Sequence, residues 1–196
     1  MNTPDTSAAF FEGMFRTSAD PWNFAADDYE QARYDVILRA LAGRRYRHAF
    51  EPGCSVGALT AKLATLCDQV DATDFSPSAA EQARLRCQSL PGVTVRCAAF
   101  TSREPVEGFD LVVLSELGYY FSAAQWQDVL QHVVDGMQPG AILLASHWLG
   151  KSPDHLLSGD EVHDLMQHAH LYHEHGERNP DATRGGFRLD RWSKRS

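Results

Sequence analysis

The chain has 196 residues, of which 43% are hydrophobic and 22% charged, and its net charge is −8. This size and composition are typical of one soluble globular domain with a sizeable core. An acidic chain lacks the basic surface that binds phosphates, so we expect no nucleic-acid partner. No stretch approaches the roughly 20 apolar residues of a membrane helix, so we expect no membrane partner either.

The N-terminus and the cysteines both favour a cytoplasmic location. The first residues, MNTPDTSAAFFEGMFR, lack the basic start and long apolar run of a signal peptide. The four cysteines form no CxxC pair, so neither a zinc knuckle nor a redox motif is indicated. We expect reduced thiols and no metal.

Hydrophobic periodicity predicts an α/β fold. Two helices are predicted over residues 10–42, interrupted by DPWNF; residues 1–42 would form a helical cap or lid, and residues 43–196 the main domain. Helical patterns then alternate with apolar runs, which predict strands at 48–52, 70–75, 93–99, 109–117 and 141–148. Two further strands, at 170–178 and 185–192, are joined like a hairpin. This order predicts a Rossmann-like, doubly wound sheet of seven strands, mostly parallel, with helices on both faces and a C-terminal antiparallel hairpin.

The segment FEPGCSVGA lies in the first β–α turn, where ligands of such sheets bind. Gly53 and Gly57 fit two glycine-rich spacings, GxGxxG and GxGxG, but Ser55 is an imperfect position in both. A tight turn without any ligand therefore stays open as an alternative.

Two carboxylates narrow the choice of ligand. Glu51 comes just before the turn, where it suits an ammonium group and would repel a pyrophosphate. Asp74 ends the second strand, close to the spacing of about 20 residues at which a carboxylate binds ribose hydroxyls. A ligand with a ribose, an amine and no phosphate fits both residues, and S-adenosylmethionine is such a ligand.

The segments FEPGCSVGALTAKLA, DATDFS and FDLVVLSELGYYF resemble the signature segments of class I S-adenosylmethionine-dependent methyltransferases. More narrowly, DPWNF…YEQARYD, EPGCSVGALT, LSELGYY and SHW resemble the nodulation protein S (NodS) family, which N-methylates a deacetylated chitooligosaccharide. The resemblance runs from about residue 20 to the C-terminal strands and implies S-adenosyl-L-methionine as the cofactor.

The resemblance also implies roles for matching positions. Gly53 and Gly57 would line the methionine part of the cofactor, Asp74 would hold the ribose, and Phe75 would stack near the adenine. Where relatives often carry an acidic residue after the third strand, this chain has Ala99 and Phe100. The full cofactor set is Arg33, Glu51, Gly53, Cys54, Ser55, Gly57, Asp74, Phe75, Ser76, Ala99, Phe100 and Ser115.

A second group of residues follows the fourth and fifth strands, where methyl transfer would take place. The candidates for proton removal or catalysis are Glu116, His147 and Tyr120, and those for acceptor binding are Trp22, Tyr119 and Trp148. Three structural alternatives stay open. Glu116 would cap the following helix or bind only water, His147 would be a satisfied core histidine, and Trp22 would pack the N-terminal cap.

The sequence therefore predicts a methyltransferase acting on a small-molecule acceptor, with an amine of a sugar or oligosaccharide as the favoured acceptor. The alternatives are a methyltransferase for another N or O acceptor, a nicotinamide-dependent oxidoreductase, and a non-catalytic S-adenosylmethionine-binding module. The run His168, His170, His173, His175 suggests a metal site only weakly. The oligomeric state stays open.

Overall fold

The computed structural model describes residues 6–101, 106–167 and 170–195. Contacts divide the chain into two units, with the boundary between Phe100 and Thr101. The two N-terminal helices belong to the same unit as the first three strands, and a separate cap over residues 1–42 stays a prediction. No helix in the described part of the chain is long and apolar enough to cross a membrane.

The first unit holds four helices and three parallel strands. Its elements are α1 (Ala8–Thr17), α2 (Asp28–Leu41), β1 (Tyr46–Pro52), α3 (Ala58–Leu63), β2 (Cys67–Asp74), α4 (Pro77–Cys87) and β3 (Val93–Cys97). The strands lie in the order β3-β2-β1. Ser76 caps α4, and Pro77 occupies its first position. Helix α3 has only six residues, and the chain is already in the sheet at Cys67, which pairs with Tyr46.

The described residues of the second unit form four strands and two α-helices. Its elements are β4 (Leu111–Ser115), a 3-10 helix (Gly118–Tyr120), α5 (Ala123–Gly136), β5 (Ile142–Trp148), α6 (Gly159–Leu165), β6 (Leu171–Asn179) and β7 (Phe187–Lys194). The strands lie in the order β4-β5-β7-β6, with β4 and β5 parallel and β7 antiparallel to both of its neighbours. The predicted Rossmann-like sheet of seven mostly parallel strands with a C-terminal antiparallel hairpin is confirmed.

Strand burial explains why functional side chains collect at strand ends. In β4, every residue from Leu111 to Leu114 is buried, as its continuous apolar run predicts. Polar residues begin at Ser115 and Glu116, where the strand ends and the chain turns into the 3-10 helix. The apolar core therefore leaves the ends of the strands as the place for chemistry.

Candidate active site

The glycine-rich turn after β1 is folded back onto the end of β2. The Cys54 amide donates to the carbonyl of Thr73 at 2.9 Å, and the Ser55 amide donates to Oδ2 of Asp74 at 2.9 Å. Gly57, at φ +73°, precedes α3, and a Cβ there would lie 3.0 Å from the Cβ of Ala83. The glycine-rich turn and Asp74, both predicted to bind the cofactor, are thus linked by a direct hydrogen bond.

Two buried carboxylates end β1 and β2. Oε2 of Glu51 accepts a hydrogen bond from Oγ1 of Thr60 at 2.6 Å, and burial raises the pKa of Glu51 to about 8, with the charge of Asp74 adding to the shift. Burial also raises the pKa of Asp74 to about 6, although amides of Ser55 and Ser76 donate to it. The side-chain oxygen of Ser55 is buried and has no hydrogen-bond partner among the described residues.

These observations fit a ligand that brings positive charge and hydroxyl groups. A buried carboxylate without a cation is costly, and a ligand ammonium would offset that cost. The oxygen of Ser55 offers one further hydrogen bond. The site therefore suits the amine and ribose of S-adenosylmethionine and disfavours a pyrophosphate.

The remaining predicted cofactor residues differ in how far the structure exposes them. Phe75 is half-buried beside Phe11, with ring centroids 5.5 Å apart. Phe100 is buried edge-on to Phe50, and Ala99 is exposed. Burial, above all, raises the pKa of the Cys54 thiol, which keeps it protonated.

Two further residues of the first unit belong to tightly packed surroundings. Arg33 is fully buried and forms an ion pair with Glu30 within α2. Trp22 packs among aromatic rings, stacked on Phe24 at 5.6 Å and edge-on to Phe15. This geometry favours the packing interpretation of Trp22 over an acceptor wall.

Sequence reasoning missed Glu12 of α1. Its carboxylate accepts hydrogen bonds from Oγ of Ser76 at 2.7 Å and from Oγ of Ser78 at 2.8 Å. These bonds tie α1 to the first turn of α4, directly after Asp74. Nothing in the spacing of residue 12 indicated this contact.

In the second unit, the carboxylate of Glu116 is held by two donors. The hydroxyl of Tyr119 donates to Oε2 at 2.6 Å, and the amide of Trp148 donates to Oε1 at 2.7 Å. Glu116 has φ +54°, a strained value for a residue other than glycine. Ser122, not Glu116, caps α5, so the capping alternative is wrong.

His147 is the satisfied core histidine of the open alternative. It is fully buried, its Nε2 accepts from the Gly118 amide at 3.0 Å, and its Nδ1 lies 3.1 Å from Nε2 of His163. Nδ1 of His163 lies 2.7 Å from Oδ2 of Asp190. The amide of Gly118 can only donate, so Nε2 of His147 must accept and its Nδ1 must carry the proton. His147 therefore donates to His163, and His163 donates to Asp190. We therefore do not place proton removal on His147.

Aromatic side chains surround Glu116. Tyr119 is buried and Tyr120 is half-buried, with their rings edge-on at 4.9 Å. Burial, above all, raises the pKa of Tyr120, so its hydroxyl can donate but does not act as a base at neutral pH. The indole nitrogen of Trp148 donates to the carbonyl of Arg184. Sequence reasoning missed His155, whose ring stacks on Tyr119 at 3.8 Å.

The other predicted residues add little to this cluster. Ser115 is half-buried at the end of β4. Of the histidine run, His168 lies outside the described residues, His173 contacts Asp190 at 2.7 Å, and His175 lies 3.7 Å from Glu177. Within the described residues, no group of three or more metal-ligating side chains comes together.

Comparison with known proteins assigns the sequence to a family. The sequence profile of "Nodulation protein S (NodS)" matches residues 12–171. The chain belongs to the nodulation protein S family. Nodulation protein S of Bradyrhizobium diazoefficiens is 31% identical over 129 residues, which cover 64% of this chain and 61% of the relative. The matched segment thus spans about three fifths of that relative's length.

Solved structures show the same fold. The N-methyltransferase NodS of Bradyrhizobium japonicum WM9, in complex with S-adenosyl-L-homocysteine, superposes with a TM-score of 0.86 and 22% identity, over 98% of this chain and 100% of that one. Magnesium protoporphyrin IX methyltransferase of Synechocystis PCC 6803 with bound S-adenosylhomocysteine reaches 0.77 at 14% identity, over 98% of this chain and 100% of that one. This member of the nodulation protein S family therefore has the S-adenosylmethionine-dependent methyltransferase fold.

Proposed function

We propose that this protein is an enzyme that transfers the methyl group of S-adenosyl-L-methionine to an amine of a sugar or oligosaccharide. The observation that carries the proposal is the joined turn and carboxylate pair of the first unit, in which Ser55 and Asp74 are bonded and burial raises the pKa of Glu51. Membership of the nodulation protein S family supports the reaction type, since the Bradyrhizobium japonicum relative is an N-methyltransferase.

The cofactor would be held by residues of the first unit. Asp74 would accept hydrogen bonds from the ribose hydroxyls, and Glu51 would compensate the amine. Ser55 would donate or accept one further bond through its side-chain oxygen, which no described residue contacts by a hydrogen bond. When bound, S-adenosylmethionine supplies an electrophilic methyl group on a cationic sulfur.

The acceptor would be held by the second unit. Glu116 presents a negative charge that Tyr119 and Trp148 fix in place. Aromatic rings beside a carboxylate form a favourable environment for an ammonium group, since a cation is attracted to both. This arrangement favours an amine over a hydroxyl acceptor.

The proposal is tested with a matched pair of acceptors. A chitooligosaccharide from which one acetyl group has been removed carries a free amine, whereas the fully acetylated oligosaccharide carries only hydroxyls and amides. We expect methyl incorporation from S-adenosylmethionine, followed by mass spectrometry, with the first acceptor alone. Equal methylation of both would contradict an amine acceptor, and methylation of neither would contradict the proposed acceptor class.

A further inference from the structure

His155 lies in the loop after β5 and completes the aromatic surroundings of Glu116. Its ring stacks on Tyr119 at 3.8 Å with an interplanar angle of 14°. It meets Tyr120 edge-on at 5.4 Å and Trp148 edge-on at 6.0 Å. His155 is therefore an integral member of the acceptor-side cluster.

An amine acceptor must be attracted to the site and must also lose a proton, and the hydrogen bonds of Glu116 suit it to the first of these roles. Both oxygens of Glu116 already accept strong hydrogen bonds, from Tyr119 and from the Trp148 amide. A carboxylate fixed in this way is suited to attract a cation. An ammonium group must also lose a proton before its nitrogen can attack a methyl group, because the proton occupies the lone pair.

His155 has the nitrogen for that second task. Among the described residues, Nδ1 of His155 has no hydrogen-bond partner, although it is enclosed by the cluster. Burial lowers the pKa of His155, against the opposing charges of Asp154 and Glu116. The ring is thus neutral at pH 7 and can accept a proton. The other titratable groups against it are the hydroxyls of Tyr119 and Tyr120, and burial raises the pKa of Tyr120.

We propose that His155 is the catalytic residue that removes the proton from the acceptor ammonium, while Glu116 attracts and holds that ammonium. In this step an N–H bond of the ammonium breaks, a new N–H bond forms on the imidazole, and the positive charge moves from the amine to His155. Glu116 and Asp154 then stabilise the imidazolium. The inference rests on the proposed function, because it requires an amine acceptor.

The test compares His155→Phe with the wild-type enzyme on the deacetylated chitooligosaccharide. Phenylalanine keeps a flat ring against Tyr119 and removes the nitrogen. We expect kcat at pH 7 to fall about 100-fold or more, the range typical of a lost general base. The dissociation constant of S-adenosylhomocysteine and the melting temperature should stay unchanged. His175→Phe, an equal change at an exposed strand position, is the matched control and should keep full activity.

Two further readouts separate proton removal from packing. The deficit of His155→Phe should shrink as the pH rises, because the acceptor then arrives unprotonated. In His155→Ala, added imidazole should restore turnover in proportion to its concentration. A wild-type rate in His155→Phe, or a loss that neither pH nor imidazole changes, would overturn the role of His155. A wild-type enzyme that methylates no amine would instead overturn the proposed function, and this inference with it.

Discussion

Buried carboxylates of the two units have pKa values that are shifted in opposite directions. In the first unit, burial raises the pKa of Glu51 to about 8 and that of Asp74 to about 6, although Asp74 accepts an amide hydrogen bond on each oxygen. In the second unit, burial acts on Asp190 too, but hydrogen bonds from His163 and His173 hold its pKa down to about 2. We infer that Glu51 and Asp74 gain a compensating charge from a ligand, whereas side chains of the second unit already compensate Asp190.

The largest effect should come from removing the negative charge of Asp190, at the end of the hydrogen-bonded series His147–His163–Asp190. Asp190→Asn leaves His163, His173 and Arg188 directed at an amide instead of an anion. We expect a loss of about 3 kcal/mol in the free energy of unfolding, measured by urea denaturation. Glu177→Gln, at a more exposed position on the neighbouring strand, should cost little. Equal stability of both variants would contradict the inference that Asp190 is compensated by side chains of the second unit.

A smaller but specific loss is expected at Glu116. Glu116→Gln keeps an oxygen for one donor and removes the negative charge that would attract the acceptor. We expect kcat/KM for the deacetylated oligosaccharide to fall roughly 100-fold, equivalent to about 2.7 kcal/mol, with unchanged affinity for S-adenosylhomocysteine. Glu107→Gln, on an exposed part of the same unit, is the control. Turnover near the wild-type value would remove Glu116 from the mechanism.

The smallest expected effect is on the pH dependence of the free energy of unfolding, and it comes from Glu51. The pKa of Glu51 is raised, whereas that of Asp190 is lowered. Because its pKa is raised to about 8 in the folded protein, the folded state keeps a proton that the unfolded state has lost at neutral pH. The free energy of unfolding should therefore fall as pH rises from 6 to 8, by about 1 kcal/mol per pH unit. Asp74, with a pKa of about 6, contributes mainly below this window.

Glu51→Gln should flatten that slope in the ligand-free protein. Gln still offers an oxygen to Thr60, so little else is lost. The exposed variant Glu81→Gln should keep the wild-type slope. If the free energy of unfolding depended on pH in the same way in all three proteins, Glu51 would not be the group whose raised pKa causes the slope.

Local signals in the sequence account for much of the fold and for the strand-end residues. The Ser76–Pro77 start of α4 follows from its own residue types, and the buried run of β4 follows from its continuous apolar pattern. Glu51 and Asp74 were predictable because strand ends in parallel sheets face the ligand. The short 3-10 helix at Gly118 was not predicted, since three residues carry no periodicity.

Contacts between distant segments could not be predicted from the sequence. The bond between His163 and Asp190 depends on how α6 packs on β7, 27 residues away. His155 lies in the irregular segment KSPDHLL, whose pattern indicates no element and no partner. Glu12 reaches Ser76 across 64 residues. Such side chains acquire a role only through packing, which residue spacing does not encode.

Binding of S-adenosylmethionine by the carboxylates of the first unit can be measured by thermal denaturation in the presence of S-adenosylhomocysteine or NAD. A ligand at 100 times its dissociation constant adds about 2.7 kcal/mol of stability. We predict that S-adenosylhomocysteine alone stabilises the wild type and the control variant Asp71→Ala, and that Asp74→Ala loses the effect. Stabilisation by NAD, or by neither ligand, would contradict the account.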